Sequence, residues 1–288
     1  MTDPIAPVDE DLLTLQQAAD RLQVHYMTAY RWMRRGDLPA FKTGGRLRVR
    51  VADLRHFIGE REVDVALPSR SSAKTDWPRH VERLGDHLLR GEGVEAGSLV
   101  RKVVADGAAA GDVYVRLLAP ALHRVGEEWA DGRINVVVEH RATEIASALM
   151  SRLGEHFRRR GPSRGTAVTL APPGDHHGLA STMVADFLRA AGFDVHHLGA
   201  NVPIEDLRLF LQVMPTDVLA VSMTTAPEDP TILPALVAAA PRGRDHRNTV
   251  VVVGGQAARR DEVESAGAVY VADLTQLSAA VAADRPAG

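Results

Sequence analysis

Apolar positions follow three successive rhythms along the chain. In the first, short helical stripes are broken by turns. Thr14 and Gln17 stand at capping-box spacing around Leu15, Ala18, Ala19 and Leu22, which share one helical face. A brief turn through Gln23-Val24-His25 leads to a second helix, Tyr26 to Arg35, which Gly36 ends. Leu38-Pro39-Ala40-Phe41 then precedes Lys42-Thr43-Gly44-Gly45-Arg46-Leu47-Arg48-Val49-Arg50, where a Gly-Gly turn joins two short strands. A third helix, Val51 to Ile58, closes the unit.

The second rhythm is a longer helical period. Segments at roughly 77–90, 94–107, 112–129 and 136–160 carry stripes such as Leu117, Leu118, Ala121, Leu122 and Val125, then Ile145, Ala148, Leu149 and Leu153. Four such stripes predict a four-helix bundle. From Thr166 onward, apolar strands at 166–170, 194–198, 218–223, 249–253 and 269–272 alternate with helical stretches. That alternation predicts a parallel, doubly wound sheet of the flavodoxin-like or Rossmann type. Ligands of such sheets sit beyond the carboxyl ends of the strands, at the switch point between the first and third. The loops there carry Asp175-His176-His177 and Ser222-Met223-Thr224. The expected organisation is a winged helix-turn-helix over 1–60, a linker over 61–76, a bundle over 77–162 and an α/β domain over 163–288. The linker is read as a flexible tether from Pro68-Ser69-Arg70-Ser71-Ser72-Ala73-Lys74.

Composition narrows the chemistry. The 288 residues include no cysteine, which excludes disulfides, thiolate metal sites, iron–sulfur clusters and a cysteine nucleophile, and suits a reducing cytoplasm. The acidic, two-proline N-terminus does not read as a signal peptide, and no apolar run nears the ~18 residues of a membrane span. The net charge of -3 hides a split. Between Arg21 and Arg55 nine basic residues meet only Asp37 and Asp53, a local +7, which leaves the rest of the chain at -10. A basic unit on an acidic body points to a polyanion as the partner of that unit alone.

Two short helices, a basic second helix and a basic hairpin compose a winged helix-turn-helix. Thr28, Arg31, Arg34 and Arg35 are then the candidates for the major groove of duplex DNA, with Lys42, Arg46 and Arg48 on phosphates or the minor groove. The plainer alternative is a small helical domain with a solvated basic face. The stretch from Leu13-Thr14-Leu15-Gln16-Gln17-Ala18-Ala19 to Arg46-Leu47-Arg48-Val49-Arg50 resembles the excisionase-type helix-turn-helix, a relative of the MerR class, without the Arg-Tyr-Tyr-Glu run of typical MerR heads.

No G-x-G-x-x-G follows the first strand of the α/β region and no P-loop occurs, so neither a dinucleotide nor a nucleotide triphosphate site is expected. The first loop instead places Asp175 two residues before His177, the relation by which a carboxylate fixes the tautomer of a metal-ligating imidazole. A bare zinc ion would need three or four ligands, with His176, His196 and His197 the only recruits, whereas a metal held in a macrocycle needs one. Taken alone, Trp129 reads as a core aromatic and Glu139-His140 as a solvated pair.

Gly174-Asp175-His176-His177, followed by Ala191-Gly192-Phe193-Asp194-Val195 and Leu198-Gly199-Ala200-Asn201-Val202-Pro203, resembles the D-x-H-x-x-G…G-F-x-V-x-x-L-G signature of cobalamin-binding domains, with Ala180 where the signature has glycine. Ser222, Thr224, Gly254 and Gly255 match later positions of that family. The resemblance implies His177 as the lower cobalt ligand and room for the displaced nucleotide tail beside those four residues. Trp129, nine residues, then Glu139-His140 is similar to the W-x9-E-H signature of cobalamin-dependent photoreceptor regulators of the CarH/LitR type. That family implies adenosylcobalamin between bundle and sheet, with Trp129, Glu139 and His140 around the adenosyl group. It further implies a cofactor-bound homotetramer that represses at a DNA operator in the dark and comes apart in light. His140 and His123 are candidates for the upper cobalt ligand after light. Two alternatives stay open: a regulator that senses cobalamin or another ligand without photochemistry, and a corrinoid carrier of a methyltransferase or mutase system. The basic head and the lack of a substrate domain favour a regulator over an enzyme.

Overall fold

A computed structural model describes residues 12–22, 24, 26–34, 36–43, 46–60, 75–159, 161–240 and 249–283. The chain divides into two compact units, a small N-terminal one and a larger one that holds both the helical segments and the parallel sheet.

The N-terminal unit runs β1 (Leu12–Thr14), α1 (Leu15–Arg21), α2 (Tyr26–Arg34), β2 (Phe41–Thr43), β3 (Arg46–Arg50) and α3 (Val51–Glu60). Thr14 caps α1 with the full capping box: its hydroxyl accepts from the Gln17 N–H, and Gln17 Oε1 accepts from the Thr14 N–H. The expected hairpin forms, and β1 adds a third antiparallel strand that pairs Leu13 with Val49. Leu15, Ala18, Ala19, Ala29, Leu38, Val49, Leu54 and Phe57 make its core. The expected turn residues Gln23, His25, Gly44 and Gly45, and the linker over 61–74, lie outside the described residues.

The larger unit begins with α4 (Trp77–Arg90), α5 (Gly93–Ala105), α6 (Ala110–Val113), α7 (Ala119–Ala130) and α8 (Val136–Leu153). Asp76 caps α4 and Asn135 caps α8. Two expectations need correction. The predicted 112–129 helix is interrupted by a π turn at Tyr114–Leu118, and the fourth helix gives way at Gly154 to a 3-10 turn ending at Phe157. Apolar periodicity is blind to the first, because the stripe resumes on the same buried side after the wide turn. Leu84, Leu88, Leu99, Val103, Leu117, Leu118, Ala121 and Leu149 fill the bundle.

The α/β part follows: β4 (Thr166–Leu170), α9 (Gly178–Ala190), β5 (Asp194–Gly199), α10 (Ile204–Val213), β6 (Val218–Ser222), α11 (Ile232–Ala239), β7 (Val250–Gly254), α12 (Arg260–Ser265), β8 (Val269–Val271) and α13 (Leu277–Ala283). All five strands are parallel in the order β5-β4-β6-β7-β8, which is the expected flavodoxin-like winding. Alternate strand residues serve opposite faces. Ala167, Val218, Ala220, Val250 and Val252 pack with α9, α13 and the bundle, while Val168, Leu219, Val221, Val251 and Val253 pack with α10, α11 and α12. Bundle and sheet thus share one continuous core, joined through stacked rings: Tyr114 lies 4.6 Å from Phe157, and Phe157 lies 5.7 Å from Phe187. No described helix is long and apolar enough to cross a membrane.

Candidate cofactor and nucleic-acid sites

The loop after β4 is shaped by backbone. Gly174 turns the chain at φ +81°, and its N–H donates to Asn201 Oδ1 at 2.9 Å. Asn201, itself at φ +53°, donates its N–H to the Asp175 carbonyl at 2.9 Å. A non-glycine residue in that region carries a backbone cost that surrounding contacts must hold in place. Here they fix Asp175 at the mouth of the switch point.

The Asp175 carboxylate is 2% exposed and collects four donors. Oδ1 accepts from the His177 N–H at 3.0 Å and from His177 Nδ1 at 2.8 Å. Oδ2 accepts from the N–H of Thr224 at 2.6 Å and of Thr225 at 3.1 Å. A carboxylate only accepts, so Nδ1 of His177 is the donor in this pair and Nε2 is the ring nitrogen left to face away from it. The ring is 54% exposed. The outcome is an imidazole held in one orientation by its carboxylate, with the ring open to a ligand.

Among the described residues no group of three or more His, Asp or Glu side chains could hold a bare ion, which removes the zinc alternative. His176 is exposed. His196 packs edge-on against Phe210, and His197 sits between Thr169 and Thr182, bonded at 2.9 and 3.2 Å. Burial first, and the Arg189 charge second, push the His197 imidazole below its usual range.

Ser222 and Gly254 end neighbouring strands in register, and Ser222 is buried. The contribution of Thr224 is its main-chain N–H, and the neighbouring Thr225, which sequence reasoning missed, adds a second N–H and a hydroxyl 3.3 Å from His177 Nδ1. Main-chain donors leave no trace in a sequence pattern. Gly254 and Gly255 are required by the fold itself. A Cβ on Gly254 would lie 2.5 Å from the Val271 carbonyl oxygen, and one on Gly255, at φ +118°, would lie within hard contact of the Met223 carbonyl. The expected room for a ligand tail is therefore a second use of glycines that close strand packing already demands.

On the bundle, Glu139 and His140 occupy the first turn of α8. Glu139 Oε2 meets His140 Nδ1 at 2.6 Å and Oε1 accepts from the Thr143 hydroxyl at 2.8 Å. The plain reading of Trp129 as a core aromatic is wrong, since it is 49% exposed at the end of α7. Val136 and Val137, 47% and 70% exposed, flank the same interhelical turn. No hydrogen bond or ion pair links Trp129, Glu139 or His140 to Asp175 or His177.

In the head, α2 bears Thr28, half-buried, and Arg34, exposed; Lys42 and Arg50 are exposed on the hairpin and Arg48 is half-buried. Arg50 stacks over Phe41 at 5.3 Å. Tyr26 and Tyr30 stack at 6.2 Å along α2. Arg35, and the side chains of Arg31 and Arg46, lie outside the described residues.

Comparison with known proteins agrees with this division. A helix-turn-helix domain family matches residues 12–62, and two B12-binding domain families match 81–153 and 165–282. The HTH-type transcriptional repressor CarA of Myxococcus xanthus is 32% identical over 225 residues, covering 73% of this chain and 72% of its own length. CarH of the same organism is 36% identical over 151 residues, about half of each chain. The solved monomethylamine corrinoid protein of Methanosarcina barkeri superposes with a TM-score of 0.59 at 21% identity, over 71% of this chain and 97% of that one, a likeness of fold.

Proposed function

This chain belongs to the family of B12-dependent transcriptional regulators that includes CarA and CarH, and from that premise we propose that it represses transcription in the dark with adenosylcobalamin bound and releases DNA in light. It is a B12-binding, DNA-binding regulator; the adenosyl form, the light response, the assembly and the residue roles are the proposal. The observation that carries it is the Asp175–His177 pair, an imidazole oriented by a buried carboxylate at the sheet's switch point.

Asp175 holds His177 so that Nε2 is offered to cobalt, and Thr224 and Thr225 hold Asp175. Trp129, Glu139 and His140 supply the bundle's share of the pocket, an apolar ring beside a carboxylate and an imidazole suited to the sugar and base of an adenosyl group. Ser222, Gly254 and Gly255 receive the nucleotide tail. When bound, adenosylcobalamin supplies a cobalt–carbon bond that visible light cleaves. Trp129, Glu139 and His140 would hold that cofactor from the bundle side, and a bundle that no longer held it would give up its contacts with other copies. Four heads on one assembly grip an operator far more tightly than one, so separation releases DNA without any change in the heads. Thr28, Arg34, Lys42 and Arg48, with Arg31, Arg35 and Arg46, make the DNA contact.

The test is incubation of the apo-protein with adenosylcobalamin in the dark, followed by absorbance, sedimentation and operator binding before and after green light. The expected result is cofactor uptake, a tetramer-sized species in the dark, and a joint fall in mass and DNA affinity after light. Uptake with no light effect would establish a cobalamin sensor without photochemistry, and no uptake would establish a regulator that senses another ligand, the reading that Ala180 in place of the signature glycine favours. Uptake unchanged in His177→Ala would remove the histidine from cobalt.

A further inference from the structure

A groove of about 330 Å³ lies between α5 and α8, lined by none of the residues assigned above. Its floor is apolar, from Val94, Ile145, Ala148 and Leu149, and its rim carries Arg101 and Arg152. Val94 is 76% exposed, so the chain itself leaves the floor largely uncovered.

The two arginines converge. A methyl group placed on Gly97 would lie 3.2 Å from Arg101 Nη1 and 3.4 Å from Arg152 Nη1. Neither guanidinium pairs with a carboxylate among the described residues, and Arg101 bonds only the Ser98 hydroxyl, at 2.8 Å. Several other arginines of the bundle find acids: Arg90 and Arg124 meet Asp86, and Arg133 meets Glu128. Outside the head the chain has ten more acidic than basic residues, so two adjacent unpaired cations run against its overall balance. Like charges this close repel, and a shared anion removes that repulsion.

We infer that this groove is a binding site for an amphipathic carboxylate, with the carboxylate bridging Arg101 and Arg152 and an aliphatic body on Val94, Ile145 and Leu149. Guanidinium forks match a planar carboxylate in a way that a point charge does not. The volume lies at the lower end for small-molecule pockets and, at roughly 30 Å³ per atom-sized unit, takes about a dozen non-hydrogen atoms. That is the size of a medium-chain fatty acid. The site lies on α8, the helix that also carries Glu139 and His140, which gives the regulator a second chemical input on the same element.

Decanoate, below its micelle concentration, is the probe, titrated calorimetrically into the full chain. Saturable binding to one site is expected, with acetate and decanol each about tenfold or more weaker because each lacks one half of the recognition. The Arg101→Ala/Arg152→Ala double variant should lose about tenfold in decanoate affinity. Ala148→Phe, a change at an exposed position that fills the groove, should abolish binding while circular dichroism stays unchanged. Equal affinity for decanoate and decanol, or indifference to both variants, would overturn the site. So would absence of decanoate binding together with a change in sedimentation mass in the double variant, which would make the groove a contact between copies.

Discussion

The Tyr114 hydroxyl donates a 2.7 Å hydrogen bond to Asp186 Oδ2, tying the π turn of the bundle to α9, the helix that begins beside His177. Asp186 is buried and also accepts from Arg189 at 2.7 Å. Tyr114→Phe leaves that carboxylate one donor short at unchanged shape. A loss of about 1–3 kcal/mol is expected, read as a lower midpoint in thermal unfolding by about 2–4 °C per kcal/mol. An unchanged midpoint would mean that the bond adds nothing to the junction.

Burial, and next the Asp186 charge, raise the Tyr114 hydroxyl far above the ordinary phenol range. A folded pKa above the unfolded one means that the stabilisation is whole below about pH 10 and is lost as pH climbs beyond it. Alkaline titration followed by phenolate absorbance should show one tyrosine that ionises only as the protein unfolds. That step should be missing from Tyr114→Phe.

His197 has the opposite sign. Its folded pKa lies below the unfolded value of about 6.5, so the folded state binds fewer protons and stability declines as pH falls through that value. Thermal midpoints measured from pH 7.5 down to 5 should drop, and His197→Gln, which keeps polar atoms between Thr169 and Thr182, should flatten the slope. A slope identical in the two proteins would place the acid sensitivity elsewhere.

Asp175→Asn keeps one acceptor oxygen for the loop but replaces the second with donors facing main-chain N–H groups, and it removes the charge behind His177. Cobalamin affinity should fall by about 10–100-fold, the usual cost of losing the carboxylate behind a metal-bound imidazole. Equilibrium titration by absorbance measures it. Affinity within twofold of the parent would mean that the carboxylate does not orient the ligand.

For the head, Arg34→Ala and Lys42→Ala should each weaken operator and random-sequence DNA alike if they meet phosphates. Each should then also reduce the slope of log affinity against log salt by about one. A loss confined to operator DNA would instead place that side chain on a base edge.

Much of this was legible in the sequence for identifiable reasons. The parallel sheet was, because alternate residues of 166–170, 218–222 and 250–254 must all be apolar to feed two cores. The Asp175–His177 relation was, because both partners lie in one short loop. Thr225 was not, since it acts through its N–H from a strand end 50 residues away. Nor was β1, whose three residues owe their strand to β3 and carry too short a pattern to register. The exposure of Trp129 was also hidden, because a helical stripe shows which residues share a face but not whether that face is covered.

The π turn at Tyr114–Leu118 has an effect that reaches beyond its own hydrogen bonds. A wide turn takes up one extra residue locally, so the helix on either side of it keeps a common buried face: Leu117, Leu118, Ala121 and Val125 all stay in the core. Within that turn Tyr114, Leu117 and Leu118 are buried while Arg116 is exposed, so the extra residue is absorbed where the bundle meets α9. Deleting one residue there would restore a regular helix with its apolar face still inward, at the cost of the widened turn from which Tyr114 reaches Asp186. The slack of one residue is thus kept at a place where bundle and sheet are fastened together.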